Sequence, residues 1–153
     1  MPVKIEHRIG IAAPAEVIWE ILADVPGWSA WSPIYPKAAG EVRYGGQLSL
    51  TVALPGQVHR EIEAPILDWT PNEAIHWQTK GMAGFLQTIR FLEIEAFSEI
   101  GCAFSNGEVF AGLAGPYVAR SQRRSLKRGF AALGEALKER AEALWRERSG
   151  EAR

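Results

Sequence analysis

The sequence predicts an α+β fold. A curved antiparallel sheet of about seven strands, two short helices and one long C-terminal helix would together enclose a cavity. Three observations carry this expectation. From Gly115 to Trp145 the apolar residues Ala119, Leu126, Phe130, Leu133, Leu137, Ala141 and Leu144 recur at helical steps and share one face. From Val42 to Phe110 the apolar pattern has a period of two, cut by short turns, which implies antiparallel neighbours. Upstream lies one more alternating strand and two short helical segments. A helix on the order of 45 Å long cannot bury its stripe alone. The sheet is the only broad surface the chain offers it.

The first strand alternates Val3, Ile5, His7, Ile9 and Ile11 with polar residues and turns His7 to the apolar side. Pro14 then opens a helix with Val17, Ile18, Ile21 and Leu22 on its apolar side. Trp28 and Trp31 sit three apart in a short, proline-bounded segment, either as a rim to the cavity or as a plug at one end of the core. Glu41 to Tyr44 leads into Gly45-Gly46, a hairpin signal. Leu48, Leu50, Val52 and Leu54 alternate next, then Val58, Arg60, Ile62, Ala64 and Ile66. Ile75 and Trp77 share a face of the following strand. The strand from Phe85 to Phe97 reads either way round, so Glu93 points inward unless a bulge turns Leu92 and Ile94 in instead. Cys102, Phe104, Asn106, Glu108 and Phe110 alternate in the last strand. In the long helix Gly129 and Gly134 mark either close approach or tolerated surface glycines.

The chain has 153 residues, 47% apolar and 23% charged, as in an ordinary globular domain. One domain over residues 1–148 with a disordered tail over 149–153 is expected. A formal net charge of −1 argues against a nucleic-acid partner. Cys102 is the only cysteine, so no internal disulfide or cysteine cluster forms. With no signal-peptide pattern and no membrane-length apolar run, a cytoplasmic location is expected. His7, His59 and His76 lack metal-ligand spacing, and no nucleophile elbow or phosphate loop is present, so no cofactor or metal is expected.

Several segments resemble a known family. Ile11-Ala12-Ala13-Pro14 followed by Val17-Ile18-Trp19 is similar to its opening of the first helix. Asp24 with Trp28, Trp31, Ser32 and Pro33 is similar to its "D…W..W.P" segment. Ile75 with Trp77, Glu108-Val109-Phe110-Ala111-Gly112, and the helix from Phe130 to Glu142 match further motifs in order. On these residues the chain resembles the START-like, helix-grip (SRPBCC) superfamily, in its polyketide cyclase/dehydrase-like branch. The resemblance implies a deep apolar cavity between sheet and long helix. Relatives bind lipids, sterols, hormones or aromatic polyketides, and some are cyclases or hydrolases.

The expected walls are Leu48, Leu50, Ile62, Ile75 and Trp77 from the middle strands. Phe91, Phe104, Phe110, Phe130 and Leu133 complete them, with Trp28 or Trp31 near the mouth. The inward polar candidates are His7, Arg60, Glu93, Asn106 and Glu108. A carboxylate there would have a raised pKa and could serve as a general acid or base, with Glu108, Glu93 and His7 as candidates. Glu108 with Arg60 is alternatively a structural buried pair. The expected partner is a small hydrophobic molecule, lipid-like or polyketide-like. Arg120, Arg123, Arg124, Lys127 and Arg128 form a basic patch, read either as a site for a membrane or acidic partner or as a solvated face partly paired with Glu135 and Glu139.

Overall fold

The structure is a computed structural model that describes residues 2–151. In chain order the elements are β1 (Val3–Ile11), α1 (Ala15–Ala23), a 3-10 segment (Val25–Ala30), β2 (Lys37–Ala39), β3 (Gln47–Val52) and β4 (Arg60–Thr70). There follow β5 (Ala74–Gly81), a 3-10 turn (Met82–Gly84), β6 (Leu86–Ser98), β7 (Gly101–Ala111) and α2 (Gly115–Glu151). The seven strands form one antiparallel sheet in the order β1-β7-β6-β5-β4-β3-β2. Among the described residues no helix is long and apolar enough to cross a membrane.

Two boundaries differ from the sequence reading. The strand ahead of β3 is Lys37–Ala39, not 42–44; Gly40 adopts φ +130° and ends the pairing, and Gly46 N–H closes a turn on Arg43 O at 3.0 Å. The long helix also continues past Trp145 to Glu151, so residues 149–151 of the expected tail are helical; 152 and 153 lie outside the described residues.

Strand register decides which side chains meet α2. Ile5, Glu108, Arg90, Trp77 and Ile66 stand opposite one another in a row across β1, β7, β6, β5 and β4. His7, Asn106, Leu92 and Ile75 form the next row. The even-numbered residues of β6 therefore face the helix, without a bulge until Ala96. Phe91 and Glu93 are on the outer face. The Phe91 ring lies over Gly107, whose Cα could not carry a methyl group: a Cβ there would stand 2.6 Å from Phe91 Cζ and 2.2 Å from Ile5 O. Phe91 is buried on the outer face, over Gly107 and against Lys4 and His76, and not in the cavity.

α2 lies chiefly over β1 and β7. Its buried stripe is Ala119, Leu126, Phe130, Leu133, Leu137 and Ala141, as the spacing predicts. Both interior glycines are buried close approaches and not surface positions. A Cβ on Gly134 would meet His7 Nδ1 at 3.1 Å, and one on Gly129 would meet Leu54 Cδ2 at 2.6 Å. The far end of α2 is tied to α1 by Arg148, which donates to both carboxylate oxygens of Glu20 at 2.7 and 2.9 Å.

Gly107→Ala is expected to destabilise the fold by about 1–3 kcal/mol, because both Phe91 and the β1 backbone would have to move. Chemical denaturation measures this; an unchanged midpoint would mean that the close approach carries no packing constraint.

Candidate functional site

Where α2 leaves the sheet uncovered, a cavity of about 280 Å³ opens. Its floor is Trp77, Arg90 and Glu108 from the register row above, and its roof is Phe130 of α2. Ile34 and Tyr35, from the segment between the first 3-10 turn and β2, close one side with Val52 and Leu54. Arg60, Ile62, Thr79, Lys80, Gly81 and Leu86 form the mouth. The mouth exists because the β4–β5 ladder runs only from Ile66 and Trp77 to Thr70 and Ala74, while the leading half of β4 pairs with β3.

The centre of the site is Arg90, a cation only 5% exposed. Its Nε–H donates to Tyr35 Oη at 3.0 Å, and Nη1 donates to Phe91 O at 3.0 Å and Gly107 O at 2.9 Å. Nη2 donates to Asn106 Oδ1 at 2.9 Å, and Asn106 Nδ2 in turn donates to Phe130 O at 3.0 Å. The guanidinium also sits 4.3 Å from the Phe130 ring centre and 5.7 Å from that of Trp77, a desolvated cation–π arrangement. One polar chain thus runs from Tyr35 through Arg90 and Asn106 to the backbone of α2. Four of the five guanidinium donors are used within it.

Glu108 stands opposite Arg90 across β6 and β7. Burial pushes its carboxyl above the ordinary range; the Arg90 and Arg60 cations and a hydrogen bond from Thr88 oppose the shift without cancelling it. Burial likewise raises the Tyr35 hydroxyl, against the pull of Arg90. The site therefore sets an acid whose pKa is raised by burial beside a permanently charged guanidinium.

Of the residues expected to wall the cavity, Arg60, Ile62, Trp77, Glu108 and Phe130 do line it. Leu48, Leu50, Ile75, Phe104, Phe110 and Leu133 are buried in the solid core, much of which α2 fills by lying over β1 and β7. Asn106 is fully buried and works through Arg90. Trp28 is 1% exposed, with its ring against Tyr35 and Trp77 and its Nε1–H on Leu22 O at 3.0 Å, so it is a plug and not a rim. Trp31 lines a different groove, with Leu144 and Arg140. Glu93 pairs with His76 at 2.9 Å on the outer face. His7 faces α2 beneath Gly134, outside the cavity, and its Nδ1 has no hydrogen-bond partner among the described residues. Arg60 is exposed at the mouth, so the buried cation near Glu108 is Arg90 and not Arg60. The sequence pattern singles out neither Arg90 nor Tyr35; Arg90 shares a face with Leu92 and Ile94, a face the pattern of β6 leaves undecided against Ile89 and Phe91. Among the described residues no group of three or more His, Cys, Asp or Glu is placed to hold a metal ion.

Arg90→Ala is expected to cost about 3–5 kcal/mol, since it strands Tyr35 Oη, Asn106 Oδ1 and two backbone carbonyls in a buried site. Arg90→Lys should recover only part of this, because an ammonium lacks the planar fork. Urea denaturation of both variants tests the ranking. For Glu108 the folded state holds its proton more tightly than the unfolded chain. The stability this contributes is present below the usual carboxylate range and lost as pH rises through the raised value. Glu108→Gln, which mimics the protonated acid, should therefore raise Tm over the parent at about pH 8 and converge with it at about pH 4. A larger gain at the acid end would contradict the assigned shift.

The fold is shared with proteins of known structure. The Zhui aromatase/cyclase from a Streptomyces species superposes with a TM-score of 0.75 at 22% identity, covering 93% of this chain and 94% of that one. A START superfamily protein from Mycobacterium smegmatis gives 0.70 at 21% identity, covering 92% and 98%. Norcoclaurine synthase from Thalictrum flavum gives 0.65 at 14%, covering 91% and 86%. At such identities the likeness establishes the helix-grip fold alone. Among curated proteins no sequence matches. The family described as polyketide cyclase/dehydrase and lipid transport matches residues 2–142. With nearly the whole described chain spanned, the protein belongs to that family.

Proposed function

We propose that the chain binds a small molecule with a flat apolar or aromatic body and at least one polar group in this cavity. The observation that carries the reading is one cleft, open at its mouth, in which the rings of Trp77, Tyr35 and Phe130 meet Arg60, Arg90 and Glu108. Ring faces supply apolar contact at about 25 cal/mol per Å² of buried area. The polar groups fix orientation. At about 280 Å³ the cavity lies near the small end of ligand sites, roughly 300–1,000 Å³, which suits a guest of one or two rings. The family description and the aromatase/cyclase among the similar folds support such a guest. A lipid-like guest would enter only in part. We read the chain as a single domain that includes the whole of α2 and the location as cytoplasmic, the latter supported by the lone, buried, free thiol of Cys102.

A second reading, as a cyclase, dehydratase or hydrolase, is favoured by one observation: Glu108, with its raised carboxyl pKa, lines the cavity directly. A protonated acid beside a guest can donate to a carbonyl or hydroxyl leaving group and take the proton back. Glu108→Gln separates the two readings, since a binder keeps most of its affinity and an enzyme keeps binding but loses turnover.

Native mass spectrometry of protein purified from its own host should show a co-purifying small molecule. Ile62→Trp, which fills the mouth, should remove that mass and weaken uptake of an anilinonaphthalene sulfonate dye at least about tenfold, with the circular dichroism unchanged. Dye uptake unaffected by Ile62→Trp, or a parent protein that takes up neither guest nor dye, would refute the cavity as a binding site.

A further inference from the structure

The five cations of the basic patch, Arg120, Arg123, Arg124, Lys127 and Arg128, are all exposed. Among the described residues none of them forms an ion pair, either with Glu135 or Glu139 or with any other carboxylate. The stretch from Val109 to Gly134 contains no acidic residue at all, in a chain whose formal net charge is −1. The positive charge is thus a local feature of one face, maintained against the unfavourable dipole at the start of α2.

A second feature adjoins it. Leu113 and Tyr117 are 85% and 72% exposed, at the loop leading into α2 and on its first turn. Tyr117, Arg120, Arg124 and Arg128 follow at steps of three and four, so they form one solvent-facing ridge. The loop from Met82 to Phe85 abuts the same end: Ala114 N–H donates to Phe85 O at 2.9 Å. Met82 and Phe85 are themselves more than half exposed. Met82 and Ala83 both hold left-handed backbone, φ 53° and 55°, which non-glycine residues adopt at a cost. Four large side chains, from the Met82–Phe85 loop and from the entry and first turn of α2, therefore form a tip, and the cationic ridge runs back from it.

We propose that this end of the molecule docks on an anionic lipid membrane, with Leu113, Tyr117, Met82 and Phe85 entering the interface and the arginine ridge held at the head-group level. Charge alone would fit any polyanion. The apolar tip selects the bilayer, because neither a nucleic acid nor a free anion offers an apolar layer to receive it, whereas tyrosine and leucine gain by entering one. Each cation near an anionic leaflet contributes on the order of 1 kcal/mol. The face stands whether or not the cavity takes a guest. Its position beside the mouth is notable all the same: Lys80, Gly81 and Leu86, which line the cavity, flank the Met82–Phe85 loop directly in sequence.

The test is co-sedimentation of the whole chain with phosphatidylcholine vesicles containing about one-third phosphatidylserine, and with phosphatidylcholine alone, at low and high salt. Binding to the anionic vesicles that falls in high salt is expected. The triple variant Arg120→Gln, Arg124→Gln, Arg128→Gln and the double variant Leu113→Ser, Tyr117→Ser should each weaken it at least about tenfold. All five positions are exposed, and unchanged circular dichroism and Tm show that the variants remain folded. No vesicle binding by the parent at low salt overturns the proposal, as does equal binding to both vesicle types. Salt-sensitive capture by duplex DNA without vesicle binding assigns the face to nucleic acid and also overturns it. Loss in the triple variant with none in the double variant reduces the face to a general polyanion site and removes the bilayer.

Discussion

A single helix is narrower than the sheet it must cover. An α-helix is about 10 Å across with its side chains, and seven strands at about 4.8 Å spacing span roughly 30 Å. α2 resolves the mismatch by lying chiefly over β1 and β7, with Leu126, Leu133 and Leu137 on its buried stripe. Everything on the other side of the sheet must be covered in another way. The plug of Trp28, packed at a tilt against Tyr35 and Trp77, covers part of it, and β3 with the leading half of β4 covers more. What remains is the cavity, bounded by Phe130 where the helix ends its cover and by Trp77 where the plug ends its own. The hollow is the geometric remainder of one helix on a wide sheet.

Burying a guanidinium at the edge of that hollow is costly unless its donors are satisfied. Arg90 meets the cost with two backbone carbonyls, the Tyr35 hydroxyl and the Asn106 amide, so its plane is fixed before any guest arrives. Asn106 carries the restraint on to Phe130 O, so the roof and the floor of the cavity share one hydrogen-bonded chain. The same rigidity shapes Glu108. Its carboxyl shares a desolvated space with a cation whose strongest contacts are already committed elsewhere, and so burial outweighs attraction. The result is a polar floor under aromatic walls, more polar than the apolar interior that alternation alone implies.

Much of this fold was legible in the sequence because the signals were redundant. The stripe from Ala119 to Ala141 has one solution as a helix face, and Leu48, Leu50 and Trp77 alternate without conflict. Reading failed where both faces of a strand are apolar. In β6 Ile89 and Phe91 compete with Leu92 and Ile94, and nothing local says which pair faces inward. The deciding information is on another strand, in Gly107, which makes room for the Phe91 ring on the outside. Once Phe91 is fixed outward, Arg90 must point in and Glu93 out. Arg60 reads as buried in the sequence for the converse reason. It alternates in phase with Ile62 and Ala64, but it lies at the strand's start, where the sheet has already opened to solvent. Tyr35 lies in an irregular segment, where periodicity carries no information at all.

The walls of the cavity are not held equally. On the β1–β7–β6–β5 side a continuous backbone ladder fixes every strand. On the other side the ladder between β4 and β5 stops at Ile66 and Trp77, and beyond it β2, β3 and the leading half of β4 form a flap paired within itself. The flap meets α2 through the loop after β3: Gln57 Nε2 donates to Ser125 Oγ at 3.0 Å, Ser125 Oγ donates to Pro55 O, and Leu54 rests in the notch that Gly129 leaves. Such side-chain bonds contribute only about 0.5–1.5 kcal/mol each, less than the ladder they replace. The flap is therefore the wall that yields most cheaply, and it yields along the gap bordered by Arg60, Ile62 and Lys80. A fold whose sheet parted nowhere would enclose the same rings and the same arginine but give a guest no way in.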